Sequence, residues 1–138
     1  MNDIILKIHH ISINVTNLDL SVNFYTALGM ESIYCYEDDD VSIIHLTNGD
    51  FIVELFFYKN KFIDFQPSSI KQHSSFVGCE HFSLFVEDIN DAFNKLKKFC
   101  DFGETINFGR TGIKYFFIKD PDGVRIEIVE DKRRVAIK

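Results

Sequence analysis

Displaced by 71 residues, the sequence falls onto itself. The stretch HISINVTNLDLSVNFYTALG begins at His10, and HFSLFVEDINDAFNKLKKFC begins at His81. His lands on His, Ser12 on Ser83, Val15 on Val86, Leu18 on Ile89 and Asn23 on Asn94. Self-similarity at a fixed offset argues for one supersecondary unit built twice. With 138 residues in all, each copy is too short for a full domain of its own. The expectation is a single domain over residues 1–138 made of two halves.

Each copy opens with an alternating segment, the mark of a half-buried strand. Ile11, Ile13 and Val15 share one face, with His10, Ser12 and Asn14 on the other. In the second copy Phe82, Leu84 and Val86 lie opposite His81, Ser83 and Phe85. Capping residues follow, Thr16–Asn17 in one copy and Asp88 and Asn90 in the other. Leu20, Phe24, Ala27 and Leu28, and then Ala92, Phe93, Leu96 and Phe99, fall at helical spacing. Gly29 suits the residue just past a helix end. Three strand-like segments follow each helix. They are ESIYCYE, VSIIHLTN and FIVELFFY in the first copy, and ETINF, GIKYFFIK and VRIEIVE in the second. Turns at Asn48–Gly49–Asp50 and Pro121–Asp122–Gly123 join the last two strands of each. The predicted fold is α+β, two βαβββ modules at about 6–60 and 79–130. A connector spans about 61–78 and a tail 131–138.

Composition narrows the function. A net charge of −6 disfavours a phosphate-backbone partner, since nucleic-acid binders present a basic face. The one basic cluster, Lys132–Arg133–Arg134, reads as a solvated tail. No apolar run approaches the roughly 20 residues of a membrane span, and no secretory signal is visible at the N-terminus. Three cysteines, an odd number without a CxxC, speak against a disulfide framework and for a reducing cytoplasm.

The repeat also carries chemistry. His10 and Glu54 are 44 residues apart, His81 and Glu127 46 apart. Each module thus brings one His and one Glu at matching places. Each Glu sits in an apolar strand, where a lone carboxylate is costly to bury unless something pairs with it. One divalent metal ion shared by both His and both Glu would satisfy all four. Two imidazoles and two carboxylates suit Ni, Co, Zn, Mn or Fe(II), with room left in an octahedral shell for water or substrate. Phe56, Tyr58 and Phe85 share faces with these residues and are candidate pocket walls. Arg125 shares the face of Glu127, where it could meet an anionic substrate or an ion-pair partner. His9 is expected on the opposite face, and His45, in a middle strand, is a weaker candidate for the cavity.

The segments IHHISINVTNLDLSVNFYTALGM, IVELF, HFSLFVEDI and DPDGVRIEI resemble the vicinal oxygen chelate superfamily over about residues 7–130. That superfamily includes glyoxalase I, fosfomycin-resistance enzymes, methylmalonyl-CoA epimerase, bleomycin-binding proteins and extradiol dioxygenases. The resemblance implies two βαβββ modules whose mixed sheets curl around a metal. Its His, Glu, His, Glu ligand set is similar to that of small bacterial glyoxalase I-like proteins. Fosfomycin enzymes and extradiol dioxygenases typically lack a Glu matching Glu54, and bleomycin-binding members lack the metal set. By resemblance Glu127 is the first candidate for the catalytic base and Glu54 the second. The implied reaction is a lyase or isomerase step on a small α-hydroxycarbonyl or hemithioacetal, by proton transfer through a metal-stabilised enediolate. The alternatives are an extradiol dioxygenase, a thiol-transferring resistance enzyme or a non-catalytic drug-binding module. Short family members commonly pair modules within or between chains, so a homodimer is expected.

One departure stands out. Glutathione-using bacterial relatives carry an Arg four residues after the first His and an Asn four residues after the first Glu. Here those places hold Asn14 and Tyr58, so the thiol cofactor is expected to differ or be absent.

Overall fold

The computed structural model describes residues 4–5, 7–60, 78–98, 100 and 105–133. The chain divides into two compact units, Met1–Phe65 and Gln66–Lys138. Most of the predicted connector, 61–77, and the tail end, 134–138, lie outside the described residues, as does Phe99.

In the first unit, strand β1 (His10–Asn14) leads into helix α1 (Leu18–Ala27), followed by β2 (Glu31–Glu37), β3 (Val41–Thr47) and β4 (Ile52–Tyr58). The sheet order is β1-β4-β3-β2. The β2–β3 and β3–β4 pairs are antiparallel, and β4 returns to lie parallel to β1. Asn17 caps α1, its side chain accepting from the Leu20 N–H at 3.1 Å. Gly29 ends the helix at φ +94°, a left-handed conformation that a Cβ would strain. The Glu37–Asp40 run closes a tight polar turn. Asp38 Oδ1 there accepts from the Asp40 and Val41 amides at 2.8 and 2.9 Å.

Alternation sorts the sheet into two faces. Ile13, Leu46, Val53 and Leu55 are buried on one, together with Ser21 and Tyr25 of α1. Each such apolar side chain contributes roughly 1.5–3 kcal/mol. The helix uses a stripe displaced from the predicted one. Leu20 is exposed, while Leu18, Ser21, Val22 and Tyr25 turn toward the protein interior. A small Ser in the buried row hid that stripe from an apolar pattern.

The second unit repeats the plan with β5 (Phe82–Phe85), α2 (Ile89–Leu96), β6 (Asn107–Phe108), β7 (Lys114–Lys119) and β8 (Arg125–Glu130), in sheet order β5-β8-β7-β6. Asp88 caps α2 through the Asp91 N–H at 3.1 Å. Phe93 of α2 meets Phe116 of β7 edge-on, ring centroids 5.2 Å apart, over a face that also buries Ile118, Ile126 and Ile128. The turn into β8 is locked by Asp120, whose Oδ1 accepts from the Asp122 and Val124 amides, both at 2.9 Å. In the tail, Arg133 is tied down. It binds Asp131 and donates to the Thr111 carbonyl at 3.0 Å. That guanidinium holds the Asp131 carboxyl down to about 2. No helix among the described residues is long and apolar enough to cross a membrane.

Candidate metal centre

Opposite the apolar face, each sheet displays its polar residues. In the first unit β1 and β4 run in register, with Ser12 beside Glu54 and Asn14 beside Phe56. His10, one alternation step before Ser12, therefore shares the face of Glu54. Its Nε2 lies 3.5 Å from Glu54 Oε1. In the second unit Ser83 stands beside Glu127, and His81 Nε2 lies 3.7 Å from Glu127 Oε1. The two carboxylates are largely shielded, with side-chain exposures of 17% and 14%. Both predicted pairs are thus assembled, each within its own unit.

Adjacent ligands on one first-row ion stand about 2.8–3.1 Å apart in an octahedral shell and about 3.3–3.6 Å apart in a tetrahedral one when each bond is about 2.0–2.2 Å. The pair separations of 3.5 and 3.7 Å lie at and just beyond the upper end of that range. An imidazole nitrogen facing a carboxylate oxygen is also the donor chemistry such ions select. The residues fit a divalent metal. Among the described residues no group of three or more His, Cys, Asp or Glu side chains is placed to hold an ion; each unit brings one His–Glu pair together.

The groups around the pairs differ between the units. In the first, His9 reaches the back of His10, Nδ1 to Nδ1 at 2.8 Å, and so is not turned away as alternation predicted. His45, opposite Glu54 across the β3–β4 ladder, contacts Glu54 Oε2 at 2.7 Å. In the second, Glu80 occupies the place equivalent to His9 and binds His81 Nδ1. A carboxylate there holds the proton on Nδ1 and leaves Nε2 free to donate its lone pair. Arg125 in turn binds Glu80 and lies over the Phe117 ring, 3.9 Å from its centroid. Burial lowers the Arg125 pKa, and the Glu127 charge opposes that shift. The Ser83 hydroxyl donates to Glu127 Oε1 at 2.6 Å.

The remaining predicted pocket residues are placed as follows. Asn14, Phe56 and Tyr58 share the His10 face, and Phe56 and Tyr58 stack with ring centroids 5.8 Å apart. Phe85 lies on the His81 face and is exposed. Arg125 is on the Glu127 face but buried and committed to Glu80. Glu80 and Ser83 were missed as site residues by sequence reasoning. The signal for Glu80 was the repeat itself, which sets it in line with His9, next to His81.

The model of the Glyoxalase/Bleomycin resistance protein/Dioxygenase superfamily matches residues 7–128. A glyoxalase family protein from Enterococcus faecalis is 27% identical at a TM-score of 0.77, covering 90% of this chain and 97% of that one. A glyoxalase family protein from Bacillus cereus is 17% identical at a TM-score of 0.73, covering 93% and 95%. A mutant of glyoxalase I from Zea mays is 20% identical at a TM-score of 0.70, covering 89% of this chain and 44% of that longer one. The last two show likeness of fold alone. No curated protein sequence matches the chain.

Proposed function

Given that the chain belongs to the Glyoxalase/Bleomycin resistance protein/Dioxygenase superfamily, we propose that it is a metal-dependent lyase or isomerase of the glyoxalase I type. The observation that carries this reading is the twice-built pair, His10 with Glu54 and His81 with Glu127, each with nitrogen and oxygen turned toward each other. The four side chains would hold one divalent ion, Ni, Co, Zn, Mn or Fe. When bound, the ion supplies Lewis acidity that steadies negative charge growing on the substrate oxygens. Glu127 takes the proton from the carbon next to the carbonyl and returns it to the neighbouring carbon, so no proton is consumed overall. Phe56, Tyr58 and the exposed Phe85 offer apolar surface for the substrate on the ligand-bearing faces.

Asn14 and Tyr58 set the substrate class apart from glutathione adducts. A glutathione carboxylate favours a bidentate cationic fork, which Asn14 cannot supply. Losing such contacts costs about 2–5 kcal/mol, or roughly 30- to 1,000-fold or more in affinity. The test is a steady-state assay of protein loaded with each candidate metal. Its substrates are the hemithioacetal of methylglyoxal with glutathione, that with other thiols, and thiol-free α-hydroxycarbonyls. Weak turnover of the glutathione adduct and better turnover of one of the others is expected. A kcat/KM near about 10⁶ M⁻¹s⁻¹ on the glutathione adduct, within the efficient-enzyme range, would refute the exclusion of glutathione. Oxygen consumption would replace the isomerase reading with a dioxygenase.

The protein is also proposed to pair as a homodimer. In support, β2 is an outermost strand of its sheet and exposes Ile33, Tyr34 and Tyr36, the kind of edge that proteins cover. Light scattering at micromolar concentration should give twice the chain mass, and a monomer would overturn the pairing.

A further inference from the structure

The repeat is closely matched in its His–Glu pairs and breaks beside them. Across the ladder from Glu54 stands His45, and across from Glu127 stands Phe117. The His45 Nε2–H donates to Glu54 Oε2 at 2.7 Å, while Oε1 stays turned to His10 at 3.5 Å. On Glu127 it is the His81-facing oxygen, Oε1, that also accepts the Ser83 hydroxyl. So the first module pins the far oxygen of its carboxylate and leaves the near one to the His pair. The second module lets a hydroxyl share the near one. His45 is itself half-buried and backed by Tyr34, ring centroids 5.7 Å apart.

From this asymmetry we infer that His45 is a positioning residue for Glu54, holding it as a one-oxygen metal donor; the inference rests on the metal-binding reading above. The physical cause is the terminal torsion of a Glu side chain, which is broad and weakly biased. A charge-assisted N–H···O⁻ bond to Oε2 removes that freedom and aims Oε1. Partners of this kind are worth about 10- to 100-fold in metal affinity.

The experiment is cobalt(II) titration of the metal-free protein against a competing chelator, with the visible spectrum recorded at saturation. The variants are His45→Phe, His45→Gln, Glu54→Gln and His45→Phe/Glu54→Gln. Circular dichroism and Tm serve as folding controls, and His45→Leu, which also lacks the donor, stands in should Phe disturb the strand. His45→Phe should weaken binding about 10- to 100-fold. His45→Gln, which keeps an N–H donor, should recover most of that loss. On the Glu54→Gln background His45→Phe should cost nothing further, because it acts through a carboxylate already removed. Wild-type affinity and spectrum in both His45 variants would overturn the inference while leaving the metal reading intact. Additive losses without rescue by Gln would overturn it in favour of direct ligation by His45. No cobalt binding by the wild type would overturn the metal reading and the role of His45 together.

Discussion

Replacing His10 and His81 together by alanine is expected to abolish metal binding. Each removes a ring nitrogen that faces the near oxygen of its module's carboxylate, at 3.5 and 3.7 Å. Outer partners of metal ligands are worth about 10- to 100-fold each, and a ligand itself must be worth at least as much. Loss of both should therefore cost at least about 10²- to 10⁴-fold if the two act independently. Elemental analysis after mild purification should show about one ion per pair of modules in the wild type and none in the double variant. The fold should survive, since neither His is buried, and Tm would report any loss of structure. Tight binding retained by the double variant sinks the assignment. Single variants refine it. His81 is backed by Glu80 and His10 by the neutral-capable His9. A carboxylate raises ligand basicity more than an imidazole does, so His81→Ala should cost more than His10→Ala.

The same pairs were legible in the sequence because a repeat turns two weak signals into one strong one. A single Glu in FIVELFFY says little. A Glu at nearly equal distance from an equivalent His, twice, predicts a shared chemical role. Strand boundaries were also legible, since β2 and its turn are marked by ESIYCYE and the acidic run, and β8 by the Asp120–Gly123 turn. The neighbours of the pairs were harder to see. The contact of His45 with Glu54 depends on the β3–β4 register, and a slip of one residue would have turned His45 to the buried face. Glu80 precedes its strand, where alternation assigns no face, and its reach to His81 and Arg125 depends on side-chain torsions. Ser21 was missed for the opposite reason. It is polar by type but buried by position, because the helix packs a small residue in that row.

Glu127→Gln is expected to lower kcat about 100- to 10,000-fold, the worth of a positioned general base, while the protein keeps its metal. Gln preserves the shape and one oxygen donor of the side chain but cannot accept a proton from carbon. Glu54→Gln should divide its effect differently. With Oε2 engaged by His45 and Oε1 facing His10, Glu54 is placed to hold rather than to shuttle, so its loss should weaken metal binding more than it lowers kcat at saturating metal. Glu127 shares its near oxygen with a hydroxyl, a neutral donor that can follow a moving proton. The measurement is kcat and KM for both variants at saturating metal, on whichever adduct the wild type turns over best, with metal content determined on the same samples. Exchange of the substrate C–H in deuterated water gives a second readout that does not require product release. A Glu127→Gln protein that keeps its metal and stays within about threefold of wild-type kcat, a factor worth well under 1 kcal/mol of barrier, would show that the proton travels by another group. If Glu54→Gln then carried the large loss in kcat, the base would belong to the first module instead of the second.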